Sequence, residues 1–419
     1  MNGNRKLGAI FEKVKAPIIQ LGEALKKRKT PSGKPGVISR GIKTPIIKPG
    51  DDLVKIVVDS VLATVGMEGI QNKDVVAVTE AVVAISQNNI VSQATVVKDL
   101  ETKFAGATSI AVVDPIQSRN RFMAILKAVA AMRNIHNIYV VMSYPTDEVG
   151  NRLISDEIIM ESGVNPYTDL LTEEEFYAKL GVPCHEFTNQ NYLKMYKEIC
   201  GEKGRIILCN DLSKIPGICP DILLCNIHKR VSKKQQLLKY GATRVLDMSE
   251  IMNTPVNGSA YNEKFGLYGS NIQDGDDLKL MPIHCDEFVH AVQVEFKVRT
   301  GKHIEVMVYG DGAFKDPVGG IWELADPTTT PAATEGLAGT PEEVKLKYIA
   351  SEHKDKSPEE IEEIVAQKKA ERLAAKNLAE NASLGTTPRQ ITDLLASLSD
   401  LTSGSGDRQT PVILVQNYL

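Results

Sequence analysis

The residues best suited to chemistry are carboxylates on glycine-flanked turns. Asp311 stands between Gly310 and Gly312, directly after Ile304–Tyr309, a run that reads as a strand. A tight turn at a strand end exposes the side chain and leaves the backbone open to close approach by a ligand. Such a group suits a hard divalent cation, because Mg²⁺ takes one or two carboxylates together with phosphate oxygens and water. Downstream, Asp316-Pro317 and the stretch Gly319–Pro327 add Asp316, Glu323 and Asp326 around Trp322, the only tryptophan. The opposing reading is that Trp322 and Leu324 anchor a loop while the acids stay in water. Ser403-Gly404-Ser405-Gly406-Asp407 offers successive backbone N–H groups that could cradle phosphate, or else a flexible linker.

Several familiar chemistries lack their signatures. There is no Gly-x-x-x-x-Gly-Lys-Ser/Thr loop and no Gly-x-Gly-x-x-Gly after a strand, so P-loop and standard dinucleotide readings are poor. Neither a Gly-x-Ser-x-Gly elbow nor a His-Glu-x-x-His helix occurs. The six cysteines, Cys184, Cys200, Cys209, Cys219, Cys225 and Cys285, form no Cys-x-x-Cys pair and read as reduced core thiols of a cytoplasmic protein.

The elements that must position these turns follow an α/β rhythm. Pro45 and Pro49-Gly50 punctuate a turn, Asp51 can cap a helix through about Val65, and Asp74–Val83 is a β-branched run. The middle of the chain reads as strands Ser109–Val113, Asn137–Met142, Arg205–Cys209, Asp221–Cys225 and Thr243–Leu246, with helices Ser118–Met132 and Ser232–Tyr240 between them. That alternation predicts a mostly parallel sheet covered on both faces. Asp114, Ser143 with Asp147, Asn210 with Asp211, and Asn226 with His228 follow directly on those strands. The carboxyl edge of an open α/β sheet is where ligands bind, although each residue singly could be a turn or cap. A helix near Asp286–Arg299 precedes the Ile304–Tyr309 strand. Residues 341–382 turn Glu/Lys/Ala-rich, with Ser357-Pro358-Glu359-Glu360 as a helix start. A helix Thr387–Leu401 and a strand Pro411–Val415 follow.

Composition bounds the class. The 419 residues, 42% hydrophobic and 24% charged with 31 Gly and 20 Pro, exclude collagen-like, disordered and disulfide-scaffold chains. The longest apolar runs are strand-sized, so no membrane span is expected. A net charge of -4 argues against a general nucleic-acid binder. Residues 1–40 carry ten Lys or Arg against Glu12 and Glu23, giving 10 - 2 = +8, and read as a basic flexible extension.

Three separated segments resemble the coenzyme F-420 (F-420-0):L-glutamate, or gamma-glutamyl, ligases. Thr44-Pro45-Ile46-Ile47-Lys48-Pro49-Gly50-Asp51-Asp52-Leu53 is similar to the family's Leu-Pro-Leu-Ile-x-x-Gly-Asp-Asp-Leu. Gly269-Ser270-Asn271, with Gly301-Lys302 and the strand ending at Asp311, resembles its Asp-x-Ser-Asn turn and Gly-Lys-strand-Asp metal motif. Gly404-Ser405-Gly406-Asp407 with Pro411-Val412-Ile413 resembles the close of the ligase domain. Tyr268 stands where the family has a metal-binding Asp, Glu80 and Ile85 where it has a Ser and a Lys that contact GTP, and Gly404 where it has a Glu.

The resemblance implies an α/β fold with α+β elements: a gamma-glutamyl-ligase-like domain from 41–104, 259–327 and 386–419. It leaves 105–258 as an inserted α/β domain and 328–385 as a charged helical insertion. The implied activity is a nucleoside-triphosphate- and metal-dependent ligase joining a small-molecule carboxylate to an amino acid through an acyl phosphate. GTP or ATP, Mg²⁺ or Mn²⁺, and a homodimer come with it. Asp311 and Asp326 are then the catalytic candidates, and Asp311, Asp316 and Asp326 the metal ligands. Pro45, Ile46, Ile47, Lys48, Glu80, Ser270, Asn271 and Gly404 to Asp407 become the nucleotide contacts, with Lys302 a further phosphate candidate. Two alternatives stand beside this reading: a non-catalytic nucleotide- or metabolite-binding protein retaining the fold, and an oxidoreductase or transferase acting at the polar strand ends of the middle segment.

Overall fold

The computed structural model describes residues 35–117, 122–148, 150–186, 188–310, 313–315, 322–324, 329–339, 349, 351–375, 390–403 and 409–419. Two larger sheets organise the chain. The first has, in spatial order, strands Ile38–Ile42, Val412–Gln416, Val75–Thr79, Glu305–Gly310 and Thr329–Ala333. Val75–Thr79 and Glu305–Gly310 run parallel with Tyr309 opposite Thr79, and the other pairings are antiparallel.

Strand alternation divides this sheet's side chains between two cores. Val76, Val78, Val306, Val308, Val412 and Leu414 face helices Leu53–Val65 and Cys285–Thr300, meeting Val57, Val61, Val292 and Phe296. Val75, Ala77, Met307, Ile413 and Val415 face the other way, against Leu395 and Ala396 of helix Ile391–Ser403. Asp52, one residue later than the sequence reading, caps the first helix by accepting from the Lys55 N–H at 3.1 Å. Asp51 closes the preceding turn instead, accepting from the Lys48 N–H at 2.7 Å.

The second sheet runs Leu170–Thr172, Gly204–Cys209, Asn137–Met142, Ser109–Val113, Asp221–Leu224, Arg244–Asp247. Its last five strands are parallel, and only Leu170–Thr172 is antiparallel. Helices cover both faces, as the alternation predicted: Gln93–Lys103, Phe122–Ala131 and Tyr192–Cys200 on one, Arg230–Lys239 on the other. The chain is therefore α/β, as expected.

Three boundaries differ from the sequence reading. The sheet begins at Ile38, inside the segment read as a flexible extension, because Ile38 pairs with Gln416. The core of the second sheet reaches beyond 105–258: Val96, Leu100 and Phe104 before it, and Leu267, Tyr268 and Leu278 after it, pack into the same cluster. The helical insertion opens with a strand, Thr329–Ala333, which finds an open edge beside Glu305–Gly310. Further along, Ser357 and Glu360 bond reciprocally at the start of helix Pro358–Ala375, the start the sequence marked. No helix among the described residues is long and apolar enough to cross a membrane.

Candidate functional site

The carboxyl end of Val75–Thr79 meets the first motif and the C-terminal segment around a cleft of about 480 Å³. Pro45, Ile46 and Ile47 form one wall with Val82 and Ile85, while Thr79, Asp400, Ser403 and Thr410 supply polar groups. Backbone bonds hold the walls together: the Thr79 N–H donates to the Pro411 carbonyl at 2.9 Å and the Thr44 N–H to the Gln409 carbonyl at 3.3 Å. The Thr410 hydroxyl donates to the Ser403 carbonyl at 2.7 Å. Ile46 stays 75% exposed, an apolar side chain left on the rim.

The β-branched run 74–83 explains how this edge forms. Its composition predicts one strand, but it breaks at Thr79 and continues as helix Glu80–Ser86. Val83 and Ala84 bury against the sheet, and Ala81 and Val82 are left facing the cleft. Tertiary burial overrides the β preference of Val82 and Val83 here.

Glu80, read as a nucleotide contact, is buried at this edge, and both its carboxylate oxygens accept from Lys279 Nζ, at 2.8 and 2.7 Å. Lys279 ends a hairpin, Asn271–Asp274 with Asp277–Lys279, in which it lies opposite Asn271. Pairing thus carries the Ser270-Asn271 turn to the neighbourhood of Glu80. Ser270 is buried and its hydroxyl has no partner among the described residues, whereas Asn271 is exposed and caps its own hairpin by accepting from the Ile272 N–H. Gly269 is required there: its φ is +69°, and an added Cβ would lie 2.6 Å from the Met281 sulfur.

Tyr268 takes a different role from a ligand. Its hydroxyl donates to the Asn226 carbonyl at 2.8 Å and the Arg230 guanidinium lies 5.0 Å from its ring centroid. Burial pushes its phenol well above the ordinary range, so it remains a neutral donor joining the hairpin to the second sheet. Tyr309, opposite Thr79, is also raised by burial, with the charges of Asp400 and Glu80 adding to it.

Lys48 lies one residue beyond the cleft wall, on the turn closed by Asp51. Lys302 precedes Glu305–Gly310 at the opposite end of the sheet, where Lys73 donates to the neighbouring His303 carbonyl, so it is removed from the cleft. Asp311, Asp316, Asp326, Gly404, Ser405, Gly406 and Asp407 lie outside the described residues. Parallel pairing nevertheless ends the strand before Asp311 at Gly310, beside Thr79 and Glu80. Sequence reasoning missed Lys279, Asp400 and Thr410. A lone buried lysine carries no signal until its partner is known.

The polar strand ends of the second sheet also converge. Asp114, Ser143, Asp147, Asn210, Asn226 and His228 line one cleft of about 760 Å³. Asp211 instead closes its own turn, accepting from the Ser213 N–H at 3.0 Å.

Comparison with known proteins agrees with the motif reading. The model of the F420-0:gamma-glutamyl ligase family matches residues 41–417, nearly the whole chain. No curated protein matches it.

Proposed function

The chain belongs to the F420-0:gamma-glutamyl ligase family, and from that premise we propose that it joins a small-molecule carboxylate to the amine of an amino acid at the expense of a nucleoside triphosphate. In this reaction the carboxylate oxygen attacks the terminal phosphorus and the nucleoside diphosphate leaves. The amine then attacks the acyl carbon, phosphate departs with the former carboxylate oxygen, and the nitrogen loses a proton. Positioning and electrostatics carry most of such a catalysis.

One observation supports this reading above the others. The Pro45–Ile47 wall, the strand end at Thr79 and the Gln409–Pro411 segment line one cleft, although the last comes from the far end of the chain from the first two. The apolar wall of Pro45, Ile46, Ile47, Val82 and Ile85 suits a nucleobase, and the hydroxyls of Thr79 and Ser403 suit its polar continuation. Lys279 neutralises Glu80, which as a free carboxylate at this edge would repel polyphosphate.

A divalent cation would offset charge on the phosphates. The described residues do not fit one: among them no group of three or more His, Cys, Asp or Glu could hold a metal, and Tyr268 offers a protonated hydroxyl already used by Asn226. The proposed cation ligands remain those of the motif reading, Asp311 with Asp316 and Asp326, which lie outside the described residues.

The deciding experiment measures phosphate release from GTP and ATP, with Mg²⁺ or Mn²⁺, in the presence of pooled carboxylic acids and amino acids. Turnover should require both pools, and Asp311→Asn should abolish it without shifting the melting temperature. Metal-indifferent nucleotide binding with no turnover in any pool would favour the second reading, a non-catalytic binding protein. The Lys279–Glu80 pair and Tyr268 are the features on its side.

A further inference from the structure

Given the nucleotide reading of the 480 Å³ cleft, on which this rests, we infer that Tyr309 is a positioning residue for the ribose: in the nucleotide complex its hydroxyl donates to Ser403 Oγ and holds the Ser403 proton on a ribose hydroxyl oxygen. The two side chains come from different elements. Tyr309 lies on strand Glu305–Gly310, opposite Thr79 in the parallel pairing, and faces helix Ile391–Ser403 in the cluster of Leu395 and Ala396. Ser403 ends that helix and, with Asp400 and Thr79, lines the cleft. Tyr309 thus stands one layer behind the cleft's polar wall.

The Tyr309 phenol is 1% exposed, and its hydroxyl has no hydrogen-bond partner among the described residues. A buried donor without a partner gives up its hydration and gains nothing, so such groups are few and each calls for a reason. The Ser403 hydroxyl lies beside it without the geometry of a full hydrogen bond. Ser403 Oγ instead donates its single proton to the Asp400 carbonyl, three residues back, at 2.9 Å. A serine bond to the preceding turn is local and can be given up without unwinding the helix. The Ser403 backbone stays fixed meanwhile, because its carbonyl accepts from the Thr410 hydroxyl at 2.7 Å.

The neighbouring groups select the part of the nucleotide. Burial, with the charges of Asp400 and Glu80 adding to it, keeps the Tyr309 phenol protonated, so it can only enter as a neutral donor. A phosphate at this point would meet the Asp400 carboxylate, while Lys279 is already committed to Glu80. A sugar hydroxyl suits the same groups, since it can accept from Ser403 and donate to Asp400. The apolar wall of Pro45, Ile46 and Ile47 then holds the base, and the ribose follows against Thr79, Asp400 and Ser403. Rotation about the Ser403 Cα–Cβ bond aims its proton at the sugar and brings Oγ onto the waiting Tyr309 hydroxyl. Both hydrogen bonds form together, and no proton is transferred.

Titration calorimetry of the full chain with GTP, ATP and their 2′,3′-dideoxy forms tests this. The parent should bind the ribonucleotide about tenfold more tightly than its dideoxy form. Tyr309→Phe should weaken the ribonucleotide about fivefold and leave the dideoxy form unchanged. Its melting temperature should stay at or above the parent's, since the lost hydroxyl had no partner. Ser403→Ala should weaken the ribonucleotide at least as much, and adding Tyr309→Phe to it should change nothing further. Undiminished ribonucleotide binding by Tyr309→Phe, equal losses for the two sugar forms, additive losses in the double variant or a lower melting temperature would each overturn the positioning role and leave the proposed function standing. Failure of the parent to bind any of the four nucleotides would overturn both.

Discussion

Lys279 and Glu80 form a buried two-pronged ion pair, with Nζ 2.8 and 2.7 Å from the two carboxylate oxygens. It fastens the 271–279 hairpin to the strand end that opens the 480 Å³ cleft. Removing one partner of a buried pair strands the other's charge. Lys279→Ala should therefore cost about 3–5 kcal/mol in urea unfolding, whereas the double change Lys279→Met with Glu80→Gln should cost clearly less. Equal losses in both proteins would show that the hairpin depends on packing and not on the pair.

Ala81 faces the same cleft from helix Glu80–Ser86. A phenyl ring there fills space without entering either sheet core. Ala81→Phe should abolish triphosphate binding in calorimetry and leave the melting temperature within a few degrees of the parent. Undiminished binding would remove this cleft from consideration.

Gly336 lies against Glu305, so an added Cβ would meet Oε1 at 2.1 Å. Glu305 is buried and receives the Thr334 hydroxyl, which leaves its carboxylate little freedom to withdraw. Gly336→Ala should lower stability by about 1–3 kcal/mol by overpacking. Thermal unfolding measures it, and Thr334→Val in the same background tests whether the Glu305 contact is responsible.

His290 links helix Cys285–Thr300 to Glu335. Its Nδ1 lies 2.7 Å from the Asp286 carbonyl and its Nε2 3.1 Å from a Glu335 oxygen. The Asp286 carbonyl first, and Glu335 second, raise its pKa above the ordinary 6.5. A raised folded value means that the folded protein holds the proton more tightly than the unfolded chain. The stabilisation is present below about pH 6.5 and fades as pH rises through the folded value. The ring is 46% exposed, so the effect on stability is small. An NMR titration should place His290 above 6.5, and Glu335→Gln should bring it down.

Strand positions were largely legible because strands of a parallel sheet covered on both faces read as short, nearly continuous apolar runs, such as Ser109–Val113 and Asn137–Met142, which reappear with those bounds. Helix Glu173–Leu180 was also legible in principle: Thr172 and Glu175 form a reciprocal capping box, a pattern visible as Thr-Glu-Glu-Glu. The Leu170–Thr172 strand was not, since three residues carry no period. At the candidate site, Pro45–Ile47 and the Pro411 segment could be named from motifs. The partners that close the site could not, because Lys279 meets Glu80 across 199 residues. The same holds at the second sheet, where the polar strand ends Asp114 and Asp147 were visible as residues but their partners Lys233 and His185 were not.

Val412–Gln416 lies between Ile38–Ile42 and Val75–Thr79 rather than at a margin. During synthesis, Ile42, Val76 and Val78 emerge from the ribosome long before the strand that separates and covers them. The first sheet must therefore wait, half-built, while the 109–247 strands downstream can already assemble from contiguous neighbours. A stalled nascent chain ending near residue 400 should accordingly present a protease-resistant second sheet and a digestible first one.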